Sequence, residues 1–585
     1  MKYQTNSLLI LALFFIIQGT YAQESPADII RKAMADELRR SMDSLKYKDF
    51  EKPFFIAYKL ADISTLNISA TLGALLNSEK NQYKDQSVRV MVGDYQINDE
   101  NFINYSSFGQ SYFINAIPTP KDADYFGIRR SLWASTDNVY KSAGEIYKSK
   151  LATLEQHKIP KEDYKIPDFA KAPTVELEIP TPEFELEKDK WEHVAREVSA
   201  VFKDYSEIST SEVNIGLFKA TAYFINSEGT KVSCPVTLAA IQISGSVMVV
   251  SGSPVNDNVV YYSLTPDNLP LVKEMKKDVA ELAENLIALQ NAEPYEDSYS
   301  GPVLFEGEAA AELFSHTLFG HNGLTASREE MSGRSDMISI PDKPSGNSIE
   351  AKIGKKIISK DLTVKAVPGL KEYNGIKLIG SVEVDGEGVI PPDELILIES
   401  GILQTLLNGR TPSIMVRESN GHNRFTIHGR GLSRRVGPGV IEITSTKSMP
   451  KESLKQKLIE LAEEEDLEYA FIIRKAETGS FYQPVNIYKV NVKDGNEELV
   501  RSVTITSLAM KSLKKAECVS DSIIVFNTMI SGGYRGMSMY GESVISGIPS
   551  SFIVPDAVLI KELEIQGAGQ VYTNKLPVLE NPVGK

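Results

Sequence analysis

The chain has 585 residues, with 63 lysines and arginines against 78 aspartates and glutamates, so its formal net charge is −15. An acidic surface repels the phosphate backbone, and we therefore expect no nucleic-acid partner. Cys234 and Cys518 are the only cysteines. This count excludes a small disulfide-stabilised scaffold and leaves open whether the two thiols pair.

The first 22 residues predict a secretory signal peptide. Lys2 supplies the positive end, Leu8–Ile17 forms an apolar core, and residues 20–22 give a small-x-small cleavage site. The core is shorter than the roughly 20 residues that a membrane helix needs, and no later apolar run is long enough to span. We expect a mature chain without a membrane span that is secreted to the periplasm or to the extracellular space.

Residues 23–190 predict an N-terminal α+β domain of helices and antiparallel strands. Ser25–Leu45 has the pattern of an amphipathic helix that begins with a capping serine, and strand-type segments fill Pro53–Asn104. Tyr125–His157 returns to helical composition. Lys158–Lys188 contains five prolines among many charges, which predicts a linker or an extended crossover.

Residues 191–299 predict a central α+β domain. Helical patterns cover Trp191–Phe202 and Leu271–Asn291, and strands lie between them. Asn226-Ser227-Glu228-Gly229 is typical of a hairpin turn. We interpret the helix over Leu271–Asn291 as a packing helix, because its apolar residues recur at helical spacing.

Residues 300–585 predict a β-rich C-terminal domain with many glycine turns. Asp385 and Glu387 flank Gly386 in one such turn, and we expect them to be solvated rather than to form a catalytic acid pair. The loop Ser419–Arg424 holds His422 between a glycine and an asparagine. A histidine in such a loop is better placed for substrate contact than for core packing.

Two histidines lie close together at the end of a predicted helix. Glu308–Phe319 is rich in alanine and leucine without an internal glycine or proline, and it carries His316, while His321 lies just beyond Gly320. Neutral imidazole is a common transition-metal ligand. Five residues separate the two side chains by about 140° on a regular helix, so a shared ion requires the helix to loosen at Gly320.

The segment His316 to His321, HTLFGH, resembles the signature helix of the TldD/PmbA family, formerly called modulators of DNA gyrase. TldD-type members have His-Glu-x-x-Gly-His, and Thr317 stands here where they have glutamate. They take a third ligand from a cysteine in a glycine-rich segment near the C-terminus. The corresponding segment here has only Met537 and Met539, and thioethers are poor zinc ligands.

The resemblance implies a TldD/PmbA-like α+β fold and a zinc metallopeptidase that acts on unfolded or peptide substrates. It implies metal ligation by His316 and His321, with zinc binding that is weak or depends on a partner. His422, Arg424 and Asn226 lie in segments similar to family loops, and the resemblance implies substrate contact there. The catalytic base is unknown, because Thr317 is not one.

Two other functions stay open beside the zinc peptidase. The chain resembles the PmbA-type branch in lacking part of the ligand set, which implies a catalytically inactive subunit that partners a TldD-type protease. The third alternative is a periplasmic peptide-binding protein that keeps the scaffold without the chemistry. The resemblance further implies a homodimer or a heterodimer with a TldD-type subunit.

Overall fold

The computed structural model describes residues 24–103, 117–249, 254–320, 323–332, 343–429, 431–477, 480–506, 508–531 and 544–567. The predicted signal peptide, His321, Met537 and Met539 lie outside these ranges. No helix within them combines the length and the hydropathy that are needed to cross a bilayer.

The N-terminal half is built on one sheet with unusually long strands, which is antiparallel except for the short edge strand Glu176–Glu178. The strands of this half are β1 (Pro53–Thr71), β2 (Ala74–Val92), β3 (Phe102–Ile103), β4 (Glu176–Glu178), β5 (Ile208–Asn226), β6 (Lys231–Met248) and β7 (Pro254–Ser263). The sheet has the order β2-β1-β5-β6-β4, and β7 pairs with β6. Leu72 and Gly73 join β1 to β2 with φ values of +47° and +77°, as in a two-residue hairpin loop.

Four helices cover one face of this sheet. They are α1 (Pro26–Ser44), α2 (Tyr125–Gln156), α3 (Lys188–Ser199) and α4 (Val272–Asn291), and the Ser25 side chain caps α1 by accepting from the Asp28 N–H at 3.1 Å. Even-numbered residues of β1 face them: Tyr58 packs in the cluster of α1 and α2, and Leu66 in the cluster of α3 and α4. The odd-numbered Phe55 and Ile63 pack on the C-terminal half.

The C-terminal half consists mainly of two sheets. Its strands are β8 (Glu293–Pro294), β9 (Ser298–Glu306), β10 (Met331–Ser332), β11 (Leu362–Ala366), β12 (Glu372–Tyr373), β13 (Ile376–Lys377), β14 (Leu395–Glu399), β15 (Ile402–Leu403), β16 (Asn423–His428), β17 (Gly431–Val436), β18 (Val440–Ser445), β19 (Ser448–Met449), β20 (Tyr469–Glu477), β21 (Ser480–Asn491), β22 (Glu497–Arg501), β23 (Val503–Ile505), β24 (Ala516–Ser520), β25 (Ile523–Ile530), β26 (Ile548–Pro555) and β27 (Ala557–Gly567). One sheet has the order β19-β24-β27-β9-β20-β21-β22-β8, with β23 on β27, and the other has the order β15-β14-β11-β18-β26-β25.

The two C-terminal sheets enclose the helix α5 (Glu308–Phe319), and α6 (Lys451–Glu464) covers the outer face of the nine-stranded sheet. Strand β9 packs against both helices, because successive side chains point to opposite faces of the sheet. Val303 and Phe305 join the core around α5, whereas Leu304 packs with the apolar face of α6.

The α+β class predicted from the sequence is confirmed, and the predicted helices occur within a few residues of their expected bounds. The long N-terminal sheet takes strands from both segments that were predicted as separate domains, so the boundary at residue 190 falls within one sheet. The boundaries themselves stay a prediction. Cys234 and Cys518 are both buried and free, which settles the question of their pairing.

Candidate functional site

Helix α5 is apolar on almost its whole circumference, because it lies between two sheets. Nine of its twelve residues are buried. The other three, Glu308, Glu312 and His316, are four residues apart and therefore form one polar stripe along the helix. The helix starts at Gly307, whose φ of +61° suits a residue without a side chain.

The stripe begins near a junction between the two halves of the chain. Glu308 lies within electrostatic reach of Lys475 on β20, which pairs with Asp257 of β7 at 2.8 Å. His316 occupies the last turn of α5, where its carbonyl accepts the Gly320 N–H at 3.0 Å. The functional groups that α5 presents outside the core are therefore two carboxylates and one imidazole.

Thr317 belongs to the core rather than to this stripe. Its side chain is buried, and its hydroxyl donates to the Leu313 carbonyl at 2.6 Å, one turn back along the helix. The Thr317 hydroxyl therefore uses its proton in a hydrogen bond to the backbone of its own helix. Thr317 therefore has neither the chemistry nor the hydrogen bonding of a base that activates water.

A catalytic zinc needs three protein ligands and an open position. Within the ranges given above, no three histidine, cysteine, aspartate or glutamate side chains come close enough together to hold a metal ion. His316 is the one predicted ligand that the structure describes, and His321 lies outside the described residues. The described residues alone do not supply the ligand set of a catalytic zinc.

The predicted substrate contacts His422 and Arg424 are buried at the start of the β16–β17 hairpin. The Nδ1 atom of His422 faces the Asn420 carbonyl at 2.8 Å, and its Nε2 atom has no hydrogen-bond partner among the described residues. Burial lowers the pKa of His422 to about 4. Arg424 donates through Nη2 to the Gly380 carbonyl at 2.7 Å, and burial lowers its pKa to about 10.

Arg424 also borders a cavity of about 390 Å³ between the two halves of the chain. Its walls are mainly apolar and include Pro180, Val236, Leu264 and Phe425. The histidine and the arginine of the predicted loop Ser419–Arg424 are thus both buried in the interior. Their contact with a substrate stays a prediction.

The third predicted substrate residue, Asn226, makes its hydrogen bonds within its own turn. Its Oδ1 atom accepts from the N–H groups of Glu228 and Thr230, both at 3.0 Å, and its amide donates to the Glu228 carboxylate at 3.3 Å. This is an Asx-type arrangement that fixes the hairpin between β5 and β6. A substrate contact by Asn226 stays a prediction as well.

Asp385 and Glu387 are buried, so the expectation of a solvated turn was wrong. Asp385 accepts three backbone N–H groups, from Glu387, Val389 and Asn423, at 2.9–3.1 Å. Burial raises the pKa of its carboxyl group to about 7, with the neighbouring Glu387 adding to the shift. The flanking Val384 and Val389 are the sequence signal for this burial.

Glu387 connects the turn to the N-terminal sheet. Its carboxylate accepts from the Arg89 guanidinium at 2.6 Å and from the Arg410 backbone N–H at 2.8 Å. The Arg410 guanidinium in turn binds Glu228 through two hydrogen bonds of 2.6 and 2.7 Å. We call Arg89, Glu387, Arg410 and Glu228 the interface network.

The family model "PmbA/TldA metallopeptidase C-terminal domain" matches residues 298–567, which include α5 and both C-terminal sheets except the edge strand β8. The comparison with curated proteins gives no match.

Three solved structures have a similar fold across most of the chain. TldE from Thermococcus kodakarensis is 14% identical with a TM-score of 0.53, and the match covers 92% of this chain and all of that one. A proposed modulator of a DNA gyrase from Thermotoga maritima is 13% identical, with a TM-score of 0.52 and coverage of 87% and 96%. Another from Bacteroides thetaiotaomicron is 10% identical, with a TM-score of 0.52 and coverage of 93% and 99%. At these identities the likeness concerns the fold.

The burial of Thr317 leads to a prediction about restoring the family glutamate. We expect Thr317→Glu to lower the free energy of unfolding by about 3 kcal/mol or more, because it places a carboxylate in the core. The matched Thr317→Val substitution replaces the hydroxyl with a methyl group of similar size and should cost about 1 kcal/mol. Urea unfolding of the two variants measures the difference, and a Thr317→Glu variant as stable as the unmodified chain would show that the side chain reaches solvent.

The lowered pKa of His422 predicts a pH dependence of stability. Between pH 6.5 and about 4 the unfolded chain binds a proton on this imidazole that the folded chain does not, so stability falls as the pH falls. We expect this histidine to account for about 2 kcal/mol of the loss between pH 7 and 4.5. Urea unfolding at both values should show a smaller loss for His422→Gln.

The exposed His428 lies in the same hairpin and gives a matched control. His428→Gln should retain the pH dependence of the unmodified chain, because its ring is solvated in both states. An equal pH dependence for the unmodified chain and for His422→Gln would contradict the assignment.

Proposed function

Because this chain belongs to the TldD/PmbA family, we propose that it binds unfolded peptides as a non-catalytic, PmbA-type subunit. The observation that carries the proposal is the state of Thr317. At the position where TldD-type members have the water-activating glutamate, this chain has a buried hydroxyl that bonds to its own helix. A peptide-binding role requires the scaffold and its cavities, and it does not require that base.

A slow zinc peptidase is the second candidate function. It is favoured by the retention of His316 and His321 at the family spacing, and by the metallopeptidase description of the matching domain. Two imidazoles without a third ligand would bind zinc weakly, since each lost ligand costs several kcal/mol, on the order of a thousandfold in affinity. In this alternative the two histidines hold the ion, weakly or with the help of a partner subunit, and the base remains unidentified.

The proposal includes a partner and a compartment. The partner is a second copy of the chain or a TldD-type subunit, and peptides bind in the assembled protein. The compartment is the periplasm or the extracellular space, because the first 22 residues have the three parts of a cleavable signal.

The two functions differ in what the purified chain does alone. We expect the mature chain to bind a fluorescein-labelled, unstructured 15-residue peptide in an anisotropy assay, and mass spectrometry to find that peptide intact. Addition of a TldD-type protein should produce cleavage. Zinc content, measured before and after mixing, should be well below one ion per chain in the isolated protein.

The His316→Ala variant provides the control. Cleavage by the isolated chain that is lost in this variant would favour the peptidase and contradict the non-catalytic role. Failure to bind the peptide, with or without the TldD-type protein, would overturn both functions.

The compartment has a test of its own. Because cleavage is expected after Ala22, N-terminal sequencing of the protein from its native cells should begin at Gln23. The material should come from the periplasmic or extracellular fraction. An intact Met1 on cytoplasmic protein would contradict this.

A further inference from the structure

A second cavity, of about 310 Å³, lies beside the chain that leaves α5. Most of its lining residues have hydroxyl, amide or charged side chains. They come from the segment after α5 (Thr325, Ser327, Arg328, Glu329), from the segment before β11 (Ser345, Asn347, Ser348, Glu350) and from the N-terminal half (Asn101, Tyr164). The volume suits one side chain or one end of a peptide.

Glu350 is the distinctive residue of this cavity. It is only 5% exposed, although it carries a carboxyl group. Its Oε2 atom accepts from the Met415 N–H at 3.3 Å, and its Oε1 atom has no hydrogen-bond partner among the described residues. A buried carboxylate oxygen without a donor is costly, and a donor supplied by a ligand would remove that cost.

Arg328, the arginine that borders the cavity, already has hydrogen-bond partners away from Glu350. Arg328 donates to the carboxylate of Asp168 and to the hydroxyl of Tyr164, both at 3.2 Å, and to the carbonyls of Pro167 and Pro412 at 3.2 and 3.1 Å. Its charge therefore stabilises the N-terminal half rather than Glu350.

Among the residues that the structure describes, the Glu350 carboxylate has no lysine or arginine as a hydrogen-bond partner. Arg417 attracts the Glu350 carboxylate electrostatically. Its own side chain is exposed and donates a hydrogen bond to the Lys165 carbonyl at 3.4 Å. Glu329, a further acid of the lining, is exposed. The described part of the lining thus offers a buried carboxylate and several neutral acceptors.

We propose that this cavity binds an ammonium group of the peptide, with Glu350 as its counter-ion. An ammonium has three donors and no acceptor, which complements a cavity lined by a carboxylate and by the hydroxyl-bearing residues Thr325, Ser327 and Ser345. The α-amino terminus and a lysine side chain share this chemistry. The inference rests on the proposed peptide-binding function and names the group that the site selects.

The experiment compares three peptides of one lysine-free sequence, each with a C-terminal fluorescein label. The first has a free amino terminus, the second is acetylated, and the third is acetylated with a single lysine at its centre. Anisotropy titrations of the mature chain should give at least tenfold weaker binding for the acetylated peptide, or about 1.4 kcal/mol. Tight binding of the third peptide would assign the site to any ammonium, and weak binding would restrict it to the amino terminus.

Glu350→Gln keeps the shape of the side chain and removes its charge. We expect this variant to bind the free and acetylated peptides with similar affinities, at the level of the acetylated peptide. The matched control is Glu330→Gln, because Glu330 is exposed and does not border the cavity. It should keep the tenfold preference of the unmodified chain.

The comparison of the peptides on the unmodified chain tests the inference even where Glu350→Gln fails to fold. Equal binding of the three peptides would overturn the ammonium site and leave the proposed function intact. Discrimination that persists in a folded Glu350→Gln variant would overturn the role of Glu350. Absence of binding for all three would overturn the proposed function together with this inference.

Discussion

The interface network of Arg89, Glu387, Arg410 and Glu228 sets the relation between the two halves of the chain. Arg410 is 1% exposed, and it reaches the hairpin of the N-terminal sheet while its own backbone holds Glu387. Removing one member of a buried ion pair typically costs 3–5 kcal/mol, because the other charge is left uncompensated. Such pairs demand a particular geometry, so the network favours one arrangement of the halves over others that would bury similar apolar area.

That arrangement forms the two cavities that border Arg424 and Glu350. The odd-numbered face of β1 packs on the C-terminal half, and the cavity of Arg424 lies along the same contact. The cavity of Glu350 lies where Asn101 and Tyr164 of the N-terminal half meet the segment after α5. Both cavities are therefore properties of the contact between the halves, and neither exists in one half alone.

The sequence predicted those features that depend on neighbours in the chain. Helix α5 has the bounds that its composition and Gly320 indicate, and the strand-type segments predicted within Pro53–Asn104 form β1 and β2. The environment of Glu387 depends on Arg89, which lies 298 residues away, and no local pattern contains that partner. Arg410 and Glu350 were missed for the same reason, since a buried charge is recognised by its surroundings rather than by its sequence context.

The position of α5 between two sheets limits the chemistry that this scaffold can perform. A helix that is buried on both sides can present polar groups only along the stripe of Glu308, Glu312 and His316, and a residue next to that stripe must suit the core. Thr317 satisfies this requirement by bonding its hydroxyl to Leu313, whereas a glutamate there would need a metal or a bound water to compensate its charge. With threonine, this position in the core beside the stripe contains a hydroxyl bonded to its own helix and not a buried acid. The same constraint leaves α5 one polar stripe for chemistry, while one mainly apolar and one mainly polar cavity lie at the contact between the halves of the chain.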